Sequence, residues 1–401
     1  MDRRHFLTRG LALGCSAAAS PLLTPVAFAS GPWDTRLVVI ILRGAMDGLD
    51  VVRPVGDVDY AALRPTLSDG AGSFDTGFFR FHPALAPLEA LWREGSFGAV
   101  HAVSTPYRDQ RSHFDGQDIL EAGGTESDSR RDGWLNRMLQ VVPGVTAETA
   151  YAIGAEQMLI LTGKAPAARW APNAKLRISP QGRRLLDLVV HDDPLFREAA
   201  AQAFEISDDI AADADAIEAL SEGMANDPMM AQVGRGGHVR LAEFAVSRLR
   251  GESRIASFSI GGWDTHQDQA RNLSRALSAI SDTLLTLRSG LGPVWEKTAV
   301  LCMTEFGRTA RENGTRGTDH GTGGALLYAG GALRGGQVLG AWPGLAEADL
   351  YQRRDVMPLA DVRGVAGEIL RGMFGLNDNV ITGSIFPGVE MPAPLGIVRG
   401  V

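Results

Sequence analysis

The chemistry-bearing residues of this chain fall into four short stretches. "RGAMDGLD" holds Arg43, Asp47 and Asp50, and "STPYRDQRSHFDGQ" holds Ser104, Thr105, Arg108, Arg111, Ser112 and His113. "GGWDTHQDQ" holds Asp264, His266 and Asp268, and "TEFGRTARENGTRGTDHGTGG" holds Glu305, Arg308, Asp319 and His320. Asp264 and His266 are two apart, so in extended chain their side chains leave on one side, and a carboxylate beside an imidazole suits a divalent metal. The same pair also reads as a helix cap followed by a first-turn histidine. Asp319 and His320 are adjacent within a glycine-rich loop, which frees them from the opposed directions of a strand; a solvated turn is the competing reading. Glu305 directly follows an apolar run, where a buried carboxylate must meet Arg308, another arginine or a metal. Ser112 stands where a helix would begin. Its hydroxyl reads as an N-cap or as a nucleophile, with Thr105 the competing hydroxyl. Arg108 and Arg111 flank it as anion holders at the positive end of a helix dipole.

Each stretch follows a run suited to a strand buried on both faces: "RLVVIIL" (36–42), "FGAVHAV" (97–103), "RIASFSI" (254–260) and "TAVLCM" (298–303), with "ALLYAGG" (325–331) a fifth. Helical spacing lies between them, in "PALAPLEALWREG" (83–95) and "NLSRALSAISDTLLTLRSGL" (272–291). Strand alternating with helix predicts an α/β fold with a mostly parallel central sheet and helices on both faces. Ligands in such folds bind at the carboxyl ends of the strands, which is where all four stretches fall. Residues 192–250 break the alternation. They are helical in pattern and acidic at "EISDDIAADADAIEALSEG", as a helical insertion or cap would be. The final "NVITGSIFPGVEMPAPLGIVRGV" reads as an irregular tail closing over the body.

With 401 residues, 45% of them hydrophobic, the chain has material for one large core. Residues 1–29 carry a paired Arg3 and Arg4, a moderately apolar stretch and an "AFA" cleavage site, the pattern of a twin-arginine signal peptide. The expected mature protein, residues 30–401, is then one domain in the periplasm or outside the cell, with the twin-arginine export machinery as a partner. Of the 2 cysteines one lies in the leader, so Cys302 is left without an internal disulfide partner. The net charge of −8 gives no electrostatic footprint for nucleic acid, and no later run is long and apolar enough for a transmembrane helix.

The leader, "LRGAMDGLD", "RSHFDGQ", "GGWDTHQDQ" and "TEFGRTARENGTRGTDHGTGG" together resemble the DUF1501 family of exported bacterial proteins, over nearly all of the mature chain. That family is placed with the alkaline-phosphatase-like superfamily of phosphatases, sulfatases and phosphomutases. The resemblance implies a central sheet covered on both faces and a divalent metal pair, often zinc, facing a Ser or Thr nucleophile. Carried over residue by residue, "GGWDTH" has one residue between Asp264 and His266 where the superfamily has a wider spacing. "TEFGR" offers Glu305 where the superfamily has an Asp-His pair, and Phe306 cannot ligate. His320 resembles the last His ligand, while Arg43 stands where an Asp ligand is expected, with Asp47 four residues on. No "CxPSR" sulfatase signature is present.

Two functions follow as expectations. One is a metal-dependent hydrolase acting on a small phosphate or sulfate ester, with Asp47, Asp264, His266, Glu305, Asp319 and His320 as the metal set. Ser112 would be its nucleophile, with Arg43, Arg108 and Arg111 on the anion. The other is a catalytically inactive binding or assembly protein on the same fold. Convergence of the acidic and imidazole groups separates them from a set scattered over the surface or tied up by arginines.

Overall fold

"RLVVIIL" forms β1 (Arg36–Leu42), buried along its whole length in a computed structural model that describes residues 33–68, 72–125, 131–171, 185, 234 and 236–400. The expected leader and most of 192–250 lie outside the described residues. The rest of that segment, Gly237–Leu249, is one helix packed on the body.

The other strands are β2 (Val52–Arg53), β3 (Arg80–Phe81), β4 (Phe97–Ser104), β5 (Ala150–Ile153), β6 (Ala168–Trp170), β7 (Ile255–Ile260), β8 (Thr298–Met303), β9 (Gly324–Ala329), β10 (Val338–Leu339) and β11 (Ala360–Asp361). β2 and β3 pair by themselves. The remaining strands make a nine-stranded sheet in the order β10-β4-β9-β8-β1-β7-β5-β6, with β11 beside β4. All pairings in it are parallel except those of β9, which runs against both β4 and β8. The reason lies in the connection: residues 304–323 hold no helix, so the chain turns back at the end of β8 instead of crossing over. The carboxyl ends of β4, β8, β1 and β7 and the amino end of β9 therefore share one rim.

Alternation along β1 divides the core. Val38, Ile40 and Leu42 face one layer with Phe244, Leu277 and Leu284, from the helices Gly237–Leu249 and Gln269–Leu291. Leu37, Val39 and Ile41 face the other, with Trp134, Ile369 and Phe386. Both faces of the sheet are thus covered, which is why its strands are continuous apolar runs. The helical stretch at 83–95 is a 3₁₀ helix (Pro83–Leu88) that passes into a short α-helix (Glu89–Arg93), because Pro87 cannot donate to an α ladder. Cys302 is fully buried in β8, and burial pushes its thiol pKa up.

Candidate metal centre

The rim holds three imidazoles and one carboxylate in contact. Asp264 and His266 arrive four and six residues after β7, His320 comes four residues before β9, and His113 opens the helix His113–Ala122 beyond β4. One ligand atom each from His113, Asp264 and His320 lie within 4.8 Å of one another. His266 joins them: its Nε2 is 3.0 Å from His320 Nε2 and 3.1 Å from Asp264 Oδ1. His113 Nε2 lies 3.5 Å from Asp264 Oδ2 and is buried with no hydrogen-bond partner.

What fixes the rings is on their far sides. His113 Nδ1 donates to Glu305 Oε1 at 2.8 Å, His266 Nδ1 to Asp319 Oδ1 at 3.2 Å, and His320 Nδ1 to the Arg111 carbonyl at 2.9 Å. With each Nδ1 engaged as a donor, the neutral rings keep their lone pairs on Nε2, which for His113 and His266 lies beside the Asp264 carboxylate and for His320 beside His266. Bare lone pairs gathered in this way repel, and a cation among them removes the repulsion; ligating histidines are held by outer acceptors in this manner. The donor set of three imidazoles and a carboxylate fits a borderline cation such as Zn²⁺.

Electrostatics follow from these contacts. The hydrogen bond to Glu305 raises the His113 pKa against the opposing effect of burial. Burial pushes Glu305 the other way, and donors from His113, Gln117 and Gly44 outweigh it and hold the carboxyl below its usual range. Burial likewise opposes ionisation of Asp264, and the Arg308 guanidinium, 2.6 Å from Oδ1, outweighs it. Burial lowers the pKa of His320, which favours the neutral ring a metal needs.

The glycine-rich loop is an ordered support. It zips onto itself through Gly307 N–H to Thr322 O, Thr309 N–H to Asp319 O and Gly321 N–H to Gly307 O. Gly317 lies so close to the chain at His266 that an added Cβ would sit 2.3 Å from its carbonyl carbon. Phe306 has no ligating atom and forms a wall instead, stacked on His113 with centroids 5.2 Å apart.

Residues 93–385 match a family described as "Protein of unknown function (DUF1501)". The chain belongs to the DUF1501 family. No curated protein matches it. Among solved structures it is similar to the C-terminal periplasmic domain of EcEptC from Escherichia coli, at 10% identity and a TM-score of 0.35, covering 75% of this chain and 74% of that one. The same domain in complex with Zn gives a TM-score of 0.31 at 10% identity, over the same shares of the two chains.

Not all the residues expected from sequence meet at the DUF1501 rim. Asp264, His266 and His320 do, and Asp319 and Glu305 stand behind them as acceptors for His266 and His113. Arg308, expected beside Glu305, is taken by Asp264 and by the carbonyls of Ala45, Thr318 and Trp263. Asp47 is away from the cluster, buried against Arg64 at 2.7 Å and bonded by Gln269 and Thr318. Arg43 meets Gln117, Glu121 and Glu156, and an Arg108 amine folds onto the carbonyls of Thr105 and Tyr107. Arg111 contributes its carbonyl, with its side chain exposed. Of the two readings of Ser112, the cap is the one seen: its Oγ accepts from Asp115 N–H at 3.4 Å. The Thr105 hydroxyl donates to the Glu305 carbonyl at 2.8 Å. Asp264 caps no helix, since Gln269–Leu291 begins beyond it.

His113 stands among the chemistry-bearing residues of the sequence but outside the metal set expected from it. Its signal was the position just after an N-cap serine at a strand's carboxyl end, which puts the ring over the rim.

Proposed function

We propose that this chain is an exported metal-dependent protein that hydrolyses a phosphate or sulfate ester, with His113, Asp264, His266 and His320 holding a divalent ion, zinc by its donor set. The observation that carries the reading is the gathering of one ligand atom each from His113, Asp264 and His320 within 4.8 Å, with His266 Nε2 3.0 Å from His320 Nε2 and all three Nδ1 atoms engaged outside. A bound ion would lower the pKa of water and neutralise charge on an ester oxygen. The chain's own groups do the rest. Arg308 aims Asp264, Glu305 and Asp319 fix two rings, and Phe306 keeps one face of His113 dry. The amino end of the helix His113–Ala122 would offer a substrate anion positive potential, with the exposed Arg111 just before its N-cap. Beyond Asp319 lies a cavity of about 580 Å³, with Arg311, Asn313 and Arg354 on its walls and Leu63 and Leu350 among its apolar lining. It has room for the alcohol portion of an ester. Export rests on the twin-arginine pattern of residues 1–29; among the described residues no helix is long and apolar enough to cross a membrane.

The second reading, an inactive binding or assembly protein, draws on the hydroxyls: Ser112 caps its helix and Thr105 is bonded to Glu305, so both are committed elsewhere. Metal analysis of protein recovered from the periplasm, followed by assay of a panel of phosphate and sulfate esters before and after chelation, separates the two. The expected result is stoichiometric metal and hydrolysis that chelation abolishes and zinc restores. Metal-loaded protein inert to the whole panel favours the second reading, and metal-free, inert protein sinks the first.

A further inference from the structure

We propose that Gln117 is a positioning residue for the cluster, its amide orientation dictated by Arg43, and that this relay places the proton of His113 on Nδ1. The inference extends the metal reading outward and carries a readout that does not need the metal.

His113 and Gln117 are four apart in the helix His113–Ala122, so both side chains leave on one face, the face that meets Glu305. Gly116 permits the approach, since a Cβ there would lie 3.0 Å from the Phe306 ring and 3.3 Å from Glu305 Cβ. Arg43 Nη1 then contacts the Gln117 side chain at 2.6 Å. A guanidinium only donates, so the atom it meets must be the amide oxygen. The amide NH₂ is thereby turned toward Glu305 and donates to Oε1 at 3.0 Å. A flipped amide would set oxygen against carboxylate and NH₂ against guanidinium, two repulsions in place of two bonds.

Glu305 is fully buried, so its charge must be met within the protein. Oε1 receives Gly44 N–H at 2.9 Å and the Gln117 amide, and Oε2 receives the Thr304 hydroxyl at 3.0 Å. Held as an acceptor, Glu305 requires His113 to donate, and the donor is Nδ1 at 2.8 Å. In the neutral ring Nε2 is then bare on the cluster side. Arg43 is itself anchored by Glu121 at 2.8 Å and Glu156 at 3.0 Å. Thus an arginine with no contact to the cluster sets the tautomer of one of its imidazoles, through one amide and one carboxylate.

The test is made on the full-length mature protein. Imidazole NMR of the metal-free form reads the His113 tautomer and the hydrogen-bonded Nδ1–H proton, and competition with a chromophoric chelator reads zinc affinity. The variants are Gln117→Glu, which sets a second carboxylate against Glu305, Gln117→Leu, which deletes the donor, and Arg43→Met, which frees the amide to turn. Asp118→Ala, on the exposed side of the same helix, is the control. We expect the wild type to show Nδ1–H, each variant to shift that signal and to bind zinc about 10–100-fold more weakly, and the control to change neither. Should the wild type lack Nδ1–H on His113, or should Gln117→Glu and Gln117→Leu leave its signal where it was, the relay is overturned whatever the zinc affinity. A wild type that binds no zinc but shows the signal and its loss in the variants sinks the metal reading and leaves the relay standing.

Discussion

His266 Nε2 and His320 Nε2 stand 3.0 Å apart, although the two residues are 54 positions apart in the chain. Each ring is held by its other nitrogen, one on Asp319 Oδ1 and one on the Arg111 carbonyl. In their neutral forms neither imidazole has a proton to offer the other when its Nδ1 donates, and an ion between them would relieve the contact. His266→Ala and His320→Ala are each expected to weaken zinc binding by more than roughly 100-fold, since loss of an outer partner alone costs about 10–100-fold. A titration calorimeter reads this directly. Chelating the loaded wild type is expected to lower its Tm, as an ion at 100 times its Kd stabilises by about 2.7 kcal/mol.

Gly317→Ala tests the support of the loop. The new methyl would lie 2.3 Å from the carbonyl carbon of His266, against backbone that has no room to move aside. Overpacking of this kind costs about 1–3 kcal/mol, and here the displaced residue bears a candidate ligand. Urea unfolding and zinc titration are expected to fall together.

Arg64→Met isolates Asp47 in the interior. Both residues are buried, and the pair is closed by two nitrogen–oxygen contacts at 2.7 and 3.1 Å. Removing the cation should destabilise by about 3–5 kcal/mol, while Asp47→Leu added to Arg64→Met should recover much of the loss. Burial disfavours the Asp47 charge and Arg64 more than offsets it, holding the pKa below its usual value. The stabilisation is therefore present above the ordinary carboxylate range and is lost as pH falls through the lowered value.

His101 supplies acid sensitivity at milder pH. Its Nδ1 accepts from Ala102 N–H at 2.9 Å, its Nε2 meets the Val52 carbonyl at 3.1 Å, and burial pushes its pKa down to about 4. The unfolded chain takes up a proton near 6.5 and the folded one does not until about 4, so stability should fall with pH across that window. The full effect is about 3 kcal/mol. Urea midpoints at pH 7 and 4.5 are expected to differ less in His101→Gln than in the wild type.

The strands were legible because both faces of the sheet are covered. "RLVVIIL" and "TAVLCM" became β1 and β8 without a residue's change, each apolar after its first residue and buried along its whole length. The direction of β9 was not legible, since an apolar run reads the same both ways and only the absence of a helix in 304–323 settles it. At the rim, spacing found Asp264 with His266 and the loop found His320. What spacing does not encode is which of several carboxylates stands inside and which behind. Glu305 and Asp319 are carboxylates like Asp264 and differ from it in the imidazole nitrogen they face. The surroundings of Arg43 and Arg108 were not legible for a similar reason: Glu121 and Glu156 beside one and nearby carbonyls beside the other are apparent only once the chain is folded.

The reversed strand β9 has a consequence for how the protein can be taken apart. The tip of the preceding loop, at Gly314 and Thr315, is exposed, and the two arms behind it are rooted in adjacent strands of the same sheet. A nick between these residues would give one fragment bearing His113, Asp264 and His266 and another bearing His320. Co-expressed, the two halves have a shared edge through which to reassociate, and zinc would join them across the break.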